Sequence, residues 1–387
     1  MRMFFFLLFI SQNALAIDVG NGSDGSCDTA GAADTQIIAA KKSYQCTSLV
    51  INSNSTVFKA IGGSSIVIKV QGNVTVNNGS SLDLSGGNGV AGDNAASTVI
   101  SGGVGGAGGS NGGNGTTGNG TNGNGSGAGT YGTFVTGVGA NYGGGGGGGS
   151  YKTVSATTPT DGDQNGTPPT ANGSNGSIYG NENNFENSFL GGSGGAGGGA
   201  SDNGTIYRGS SGGGGGGAIM IVAGGDIQID GSIIANGGNG GGSNGTLFSG
   251  AGGAGSGGAI WLMAQGNIVI GVSGIVQATG GVRGTNDSFG LGDYGFGGAG
   301  GNGRIRLDDS DGVVTNSGTI SPAAYSTTFT PTAIGSSNIN ANKFSSSISC
   351  AKVSEEQDFK MSLVFGMLIA LIVFYSKKLY PNFKPKY

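Results

Sequence analysis

One unit recurs along the chain and limits the fold more than any other feature. It runs from Ile66 to Gly89, returns from Ile219 to Gly240 and from Ile260 to Gly281, and survives in degenerate form from Arg304 to Ile320. Self-similarity of this kind marks a solenoid or array. Each copy holds three short β-type runs, as in Ile219 to Val222, Ile227 to Ile229 and Ile233 to Ala235, separated by Gly-Gly-Asp and Asp-Gly-Ser turn signals. Three runs per copy predict an all-β, right-handed parallel β-helix, in which inward apolar side chains stack from coil to coil. Strand side chains alternate, so Ile227 and Ile229 point inward and Gln228 outward. The competing architecture is an antiparallel sandwich, which needs tight hairpins throughout.

Glycine supplies 90 of the 387 residues and charged residues only 10%, where ~25% is usual. Glycine is costly in helices, and seven prolines without a strict Gly-X-Y period remove collagen. Long glycine tracts fill 86–150, 191–217, 237–258 and 280–303, and two of them run directly into a repeat. Taken alone they read as flexible linkers. The alternative is ordered loops on one side of the solenoid, where backbones without side chains approach closely and bond to each other. Insertions in solenoids map to one face, often the binding face.

The two ends place the chain outside the cytoplasm. Arg2, the apolar run Phe4 to Ile10 and Ala14-Leu15-Ala16 form a signal peptide over residues 1–16. Residues 17–60 follow as a cap segment, 61–325 as the glycine-rich β-helix with a large insertion at about 90–212, and 326–358 as a Ser/Thr/Asn-rich spacer. Residues 359–376 read as one transmembrane helix, and 377–387 as a basic cytoplasmic tail. In an oxidising compartment Cys27 and Cys46 can pair, leaving Cys350 as a candidate for anchoring or processing before the helix.

The candidate chemistry is sparse. The chain has no histidine, which removes Ser-His-Asp triads, Cys-His pairs and histidine metal sites. A net charge of −4 argues against nucleic acid. No cofactor is expected apart from calcium, which Asp161, Asp163 and Asn165 suggest through the Asp-x-Asp-x-Asn-Gly opening of a calcium loop, although Asn172 stands where an acidic residue would close it. Arg304, Arg306, Asp308, Asp309 and Asp311 are the one charge cluster, either catalytic carboxylates or an end rung with a solvent-facing polar side. Tyr142, Tyr151, Tyr179, Tyr207 and Tyr294 lie in glycine-rich surroundings and can stack on sugar rings, whereas Trp261 shares its face with Met263 and reads as core.

The phrase Gly255 to Ala264, followed by Gly266 to Ile270 and Ala278 to Gly281, resembles the glycine-rich β-helical repeats of bacterial surface proteins of the adhesin and gliding-motility-associated type. That resemblance implies a cell-surface or outer-envelope protein, non-enzymatic, adhering to cells, glycans or matrix. A structural envelope component and a polysaccharide-acting β-helix enzyme are the alternatives.

Overall fold

The computed structural model describes residues 18–29, 43–52, 57–59, 63–93, 99–136, 142–162, 172–181, 185, 189–202, 204–243, 249–286 and 294–328. These belong to one compact unit, Met1–Ala333. The expected signal peptide, the transmembrane helix and Cys350 lie outside the described residues.

The chain is all-β, with no α-helix among the described residues, and its strands stack into three parallel sheets. The first sheet aligns Ser43–Cys46, Ile66–Val70, Ala218–Ala223, Ala259–Ala264, Arg304–Asp309 and Tyr325–Thr328. The second aligns Leu49–Ile51, Val74–Val76, Ile227–Ile229, Ile268–Ile270 and Thr315–Asn316, and the third Val57–Lys59, Ser81–Asp83, Ser232–Ile234, Ile275–Gln277 and Thr319–Ser321. Consecutive strands of a coil belong to different sheets, so the chain winds as a solenoid; with all pairings in these sheets parallel, the antiparallel sandwich is excluded.

The register follows the sequence repeat. Ile66, Ile219, Ile260 and Ile305 are in line, as are Val74, Ile227 and Ile268 in the second sheet and Leu82, Ile233 and Val276 in the third. These side chains are buried in one continuous core, each contributing roughly 1.5–3 kcal/mol when fully removed from water. One end of the solenoid is closed by residues 18–29. Ser26 and Thr29 bridge to Ser48 and Ile51, and a disulfide joins Cys27 to Cys46 with Cα atoms 5.6 Å apart.

The outward side of the first sheet is also covered. Val222, Trp261 and Met263 pack against Tyr151 and Phe185, with Tyr179, Phe189 and Met220 at the margin. Strands buried on both faces carry continuous apolar runs instead of alternation, and Ala218–Ala223 and Ala259–Ala264 show this pattern.

The glycine tracts are not flexible linkers; as the ordered-loop alternative expects, they lie to one side of the solenoid and pack into a hydrogen-bonded bundle. Along one tract the N–H of Gly212 donates to Gly113 O (2.8 Å), Gly213 to Gly253 O (2.9 Å) and Gly214 to Gly87 O (2.9 Å). The cycle then repeats with Gly215 to Ser110, Gly216 to Ser256 and Gly217 to Leu84. The tract beginning at Gly250 rotates in the same way among Gly199, Gly295 and Gly241, then Ala196, Gly298 and Gly238. A period of three is that of an extended polyproline-II-type helix, which makes no hydrogen bonds within itself. Here each helix satisfies its peptide groups on three neighbours, as buried backbone requires.

Close approach explains the composition. A Cβ on Gly213 would lie 2.1 Å from Gly238 O, and one on Gly253 would lie 2.0 Å from Gly147 O. Where a tract lacks a backbone neighbour, an asparagine side chain replaces it. Asn111 Oδ1 accepts the N–H of Gly105 (2.9 Å), Asn175 Oδ1 that of Gly148 (2.8 Å) and Asn239 Oδ1 that of Val282 (2.8 Å).

Candidate functional site at the outer end of the glycine bundle

Tracts adjoin the solenoid at one end, where Leu84, Gly217, Ala235, Gly258, Ala278 and Gly303 flank strands. Their other ends meet at a second pole. There Gly92 bridges to Ser243 and Ser243 to Asn286, each nine residues past the register-matched Asp83, Ile234 and Gln277. Gly295 N donates to Asp161 O (2.8 Å), Tyr142 N to Gly162 O (2.8 Å) and Asn286 Nδ2 to Tyr294 O (2.8 Å). The glycine packing therefore brings Tyr142, Asp161, Asn286 and Tyr294 together from four separate stretches of sequence.

The same pole carries a partly buried ion pair. Arg208 Nε donates to Asp93 Oδ1 at 2.6 Å and Nη2 bonds the same oxygen, with the guanidinium side chain 5% exposed and the carboxylate side chain 42%. Around it the hydroxyls of Ser201, Ser243 and Ser249 and Oδ1 of Asn286 are buried without a partner among the described residues. A buried polar group left unbonded costs about 1–3 kcal/mol. What this pole offers chemically is amide, hydroxyl and aromatic contact around the Asp93–Arg208 ion pair.

The residues expected from the sequence divide between the two ends. Tyr142 is 2% exposed, and Tyr207 and Tyr294 are half-buried at the outer pole. Tyr151 is fully buried at the inner end, its ring 4.6 Å from that of Tyr179. Neither Tyr142 nor Tyr151 presents a ring face to solvent. The Tyr179 hydroxyl donates to Gly191 O at 2.7 Å and accepts from Ser193 at 3.1 Å, and burial pushes its pKa up to about 12. Asp161 contributes its main-chain carbonyl, while Asp163 and Asn165 lie outside the described residues. No group of three or more acidic or cysteine side chains suited to a metal gathers among the described residues.

Apart from Asp311, which is exposed, the charge cluster is not an exposed polar rung. Arg304 is 4% exposed, donates through Nη2 to Tyr179 O and Gly180 O, and sits over the Tyr151 ring. Asp308 is 2% exposed and accepts from Trp261 Nε1 (2.8 Å) and Thr327 Oγ1 (2.7 Å); Arg306 Nε lies 2.8 Å away but is not aimed at it. Asp309 occupies an inward register position next to Ala264 and is fully buried, neither oxygen bonded among the described residues. Solvent expected on this side is displaced by the aromatic cover that the inserted segment lays over the sheet.

Sequence reasoning missed Asp93, Arg208, Ser243 and Asn286. The available signal was the constant nine-residue offset from the third strand of each coil, which aligns the tract ends once the repeats are aligned. No family model, no curated protein and no solved structure matches the chain.

Proposed function

We propose that the chain is an exported, membrane-anchored surface protein, non-enzymatic, whose right-handed parallel β-helix carries a glycine bundle that adheres to glycans on cells or matrix. The observation behind this reading is the bundle itself: a rigid, nearly uncharged body with its hydrogen bonds directed inward and amides, hydroxyls and tyrosines on its periphery. Such groups suit hydroxyl-rich neutral ligands, whereas phosphate ligands call for clustered cations. The C-terminal apolar segment supports membrane anchoring from sequence; among the described residues no helix is long and apolar enough to cross a membrane. The burial of Asp308 and Asp309 favours adhesion over the polysaccharide-acting enzyme, since a catalytic pair must reach substrate.

The test is binding of the full chain in detergent to a broad glycan and cell-surface array, with and without calcium. Saturable binding to a defined class supports adhesion, and calcium dependence implicates Asp161, Asp163 and Asn165. Absence of binding by folded protein replaces this reading with an envelope scaffold.

A further inference from the structure

Residues 99–136 contain no charged side chain, and they form one edge of the bundle as successive antiparallel tracts. Two stepped rows of outward residues cross this edge, displaced along the axis between the middle tracts, where Asn111 faces Asn124 and Asn114 faces Thr121. Asn111 Oδ1 accepts from Gly105 N (2.9 Å), next to Val104, and Asn122 Oδ1 accepts from Tyr131 N (3.0 Å). In the second row Asn114 Oδ1 accepts from Gly102 N (3.0 Å), next to Ser101, and Asn119 Oδ1 accepts from Phe134 N (2.7 Å). The middle tracts are joined by Asn124 N to Asn111 O and Thr121 N to Asn114 O. The rows are three residues apart, about 9 Å at the rise of a polyproline-II helix.

Each of these amides is fixed by its oxygen, which turns its Nδ2 donor away from the backbone and leaves it without a partner among the described residues. Asn111, Asn119 and Asn122 are exposed. At the margins Tyr131 is 39% and Val104 is 49% exposed, although both are large apolar side chains. An uncharged surface with outward amides and an open aromatic ring combines hydrogen bonding to hydroxyl and ring oxygens with stacking on the apolar face of a sugar.

We propose that this edge binds an extended neutral polysaccharide of β-linked sugars, lying along the tracts with one sugar ring on Tyr131 and its oxygens toward Asn111, Asn114, Asn119 and Asn122. Lack of charge excludes polyanion recognition by ion pairing, and the repeat along the tracts suits a polymer better than a single sugar. This inference rests on the adhesion reading and names its ligand class and surface.

The test is co-sedimentation of the full chain in detergent with microcrystalline cellulose and with chitin. Wild-type protein binds at least one of them. Tyr131→Ala weakens that binding roughly tenfold, a loss of one stacked ring. The double variant Asn111→Asp with Asn122→Asp keeps the oxygen that takes the backbone N–H, replaces the outward donor by an acceptor, and lowers binding at least as much. Asn239→Asp makes the same change on a different face and leaves binding intact. If the double variant fails to fold, Tyr131→Ala carries the test alone. Folded wild type that stays in the supernatant with both polymers overturns the proposal, as does wild-type binding by Tyr131→Ala. A dimer that Tyr131→Ala dissociates also overturns it, by making the edge a self-contact. Array binding that Tyr131→Ala leaves unchanged removes this edge but not the adhesion reading; absence of any glycan binding removes both.

Discussion

Replacing Gly213 by alanine tests whether the glycine tracts are packed or loose. The added Cβ would sit 2.1 Å from Gly238 O and 2.6 Å from Asn239 O, where ordinary contacts begin near 3.5 Å, so the two tracts must separate by about 1 Å. That displacement strains the bonds from Gly213 N to Gly253 O (2.9 Å) and from Gly238 N to Gly214 O (2.8 Å). Losing two buried bonds costs about 2–6 kcal/mol, and the lower unfolded-state entropy of alanine offsets about 0.4–1 kcal/mol. The expected net loss is roughly 2–5 kcal/mol. Gly118→Ala is the control, because its nearest heavy atom would be Thr116 Oγ1 at 3.9 Å; it stays within about 0.5 kcal/mol. Urea unfolding followed by circular dichroism measures both. Equal stabilities for the two variants would refute close packing, because in a free linker both substitutions act only through the unfolded chain.

Three further outcomes follow from side chains already placed. Burial raises the pKa of Tyr179 to about 12 from 10.0, only partly opposed by Ser193 and Arg304; its contribution is full below pH 10 and is lost as pH rises from 10 through 12, worth up to about 3 kcal/mol. Tyr179→Phe is therefore expected to flatten the fall of stability over that range in urea titrations, and an unchanged slope counts against the assignment. Cleaving the Cys27–Cys46 bond, which spans 19 residues of sequence, is expected to cost about 3 kcal/mol, read as a shift in unfolding midpoint with reductant that a Cys27→Ser variant no longer shows. Asp308→Ala removes the acceptor of Trp261 Nε1 and Thr327 Oγ1, costing about 3–6 kcal/mol with a red shift of tryptophan emission. Asp309→Ala, which matches the Ala264 register position, leaves stability unchanged or raises it; a larger loss at Asp309 than at Asp308 would contradict the hydrogen-bond pattern.

The solenoid was legible because its signal is apolar periodicity. Ile66, Ile219 and Ile260 are in register on three aligned strands, and the sequence copies begin at those residues. The bundle was hard to read because its rule concerns missing atoms. A tract such as Gly212 to Gly217 looks like a flexible linker until its neighbours are known, and each N–H serves a different one. The side chains of Asn111 and Asn122 stand in for backbone carbonyls, a role that only the packed neighbours reveal. Tyr151 and Tyr179 looked like loop aromatics. The continuous apolar run from Ala259 to Ala264 was the warning that the sheet needs cover on its outward side, and these tyrosines help supply it.

The bundle also changes how the molecule responds to cold. Unfolding the solenoid uncovers isoleucine and leucine, which raises heat capacity, whereas unfolding the bundle uncovers mainly peptide groups, which lowers it. The two parts therefore have opposed thermal signatures. A small heat-capacity increment flattens the stability curve and weakens the decline on cooling that hydrophobic cores undergo. The glycine platform is expected to hold its shape at temperatures near freezing, where proteins held together by oil-like interiors have begun to loosen.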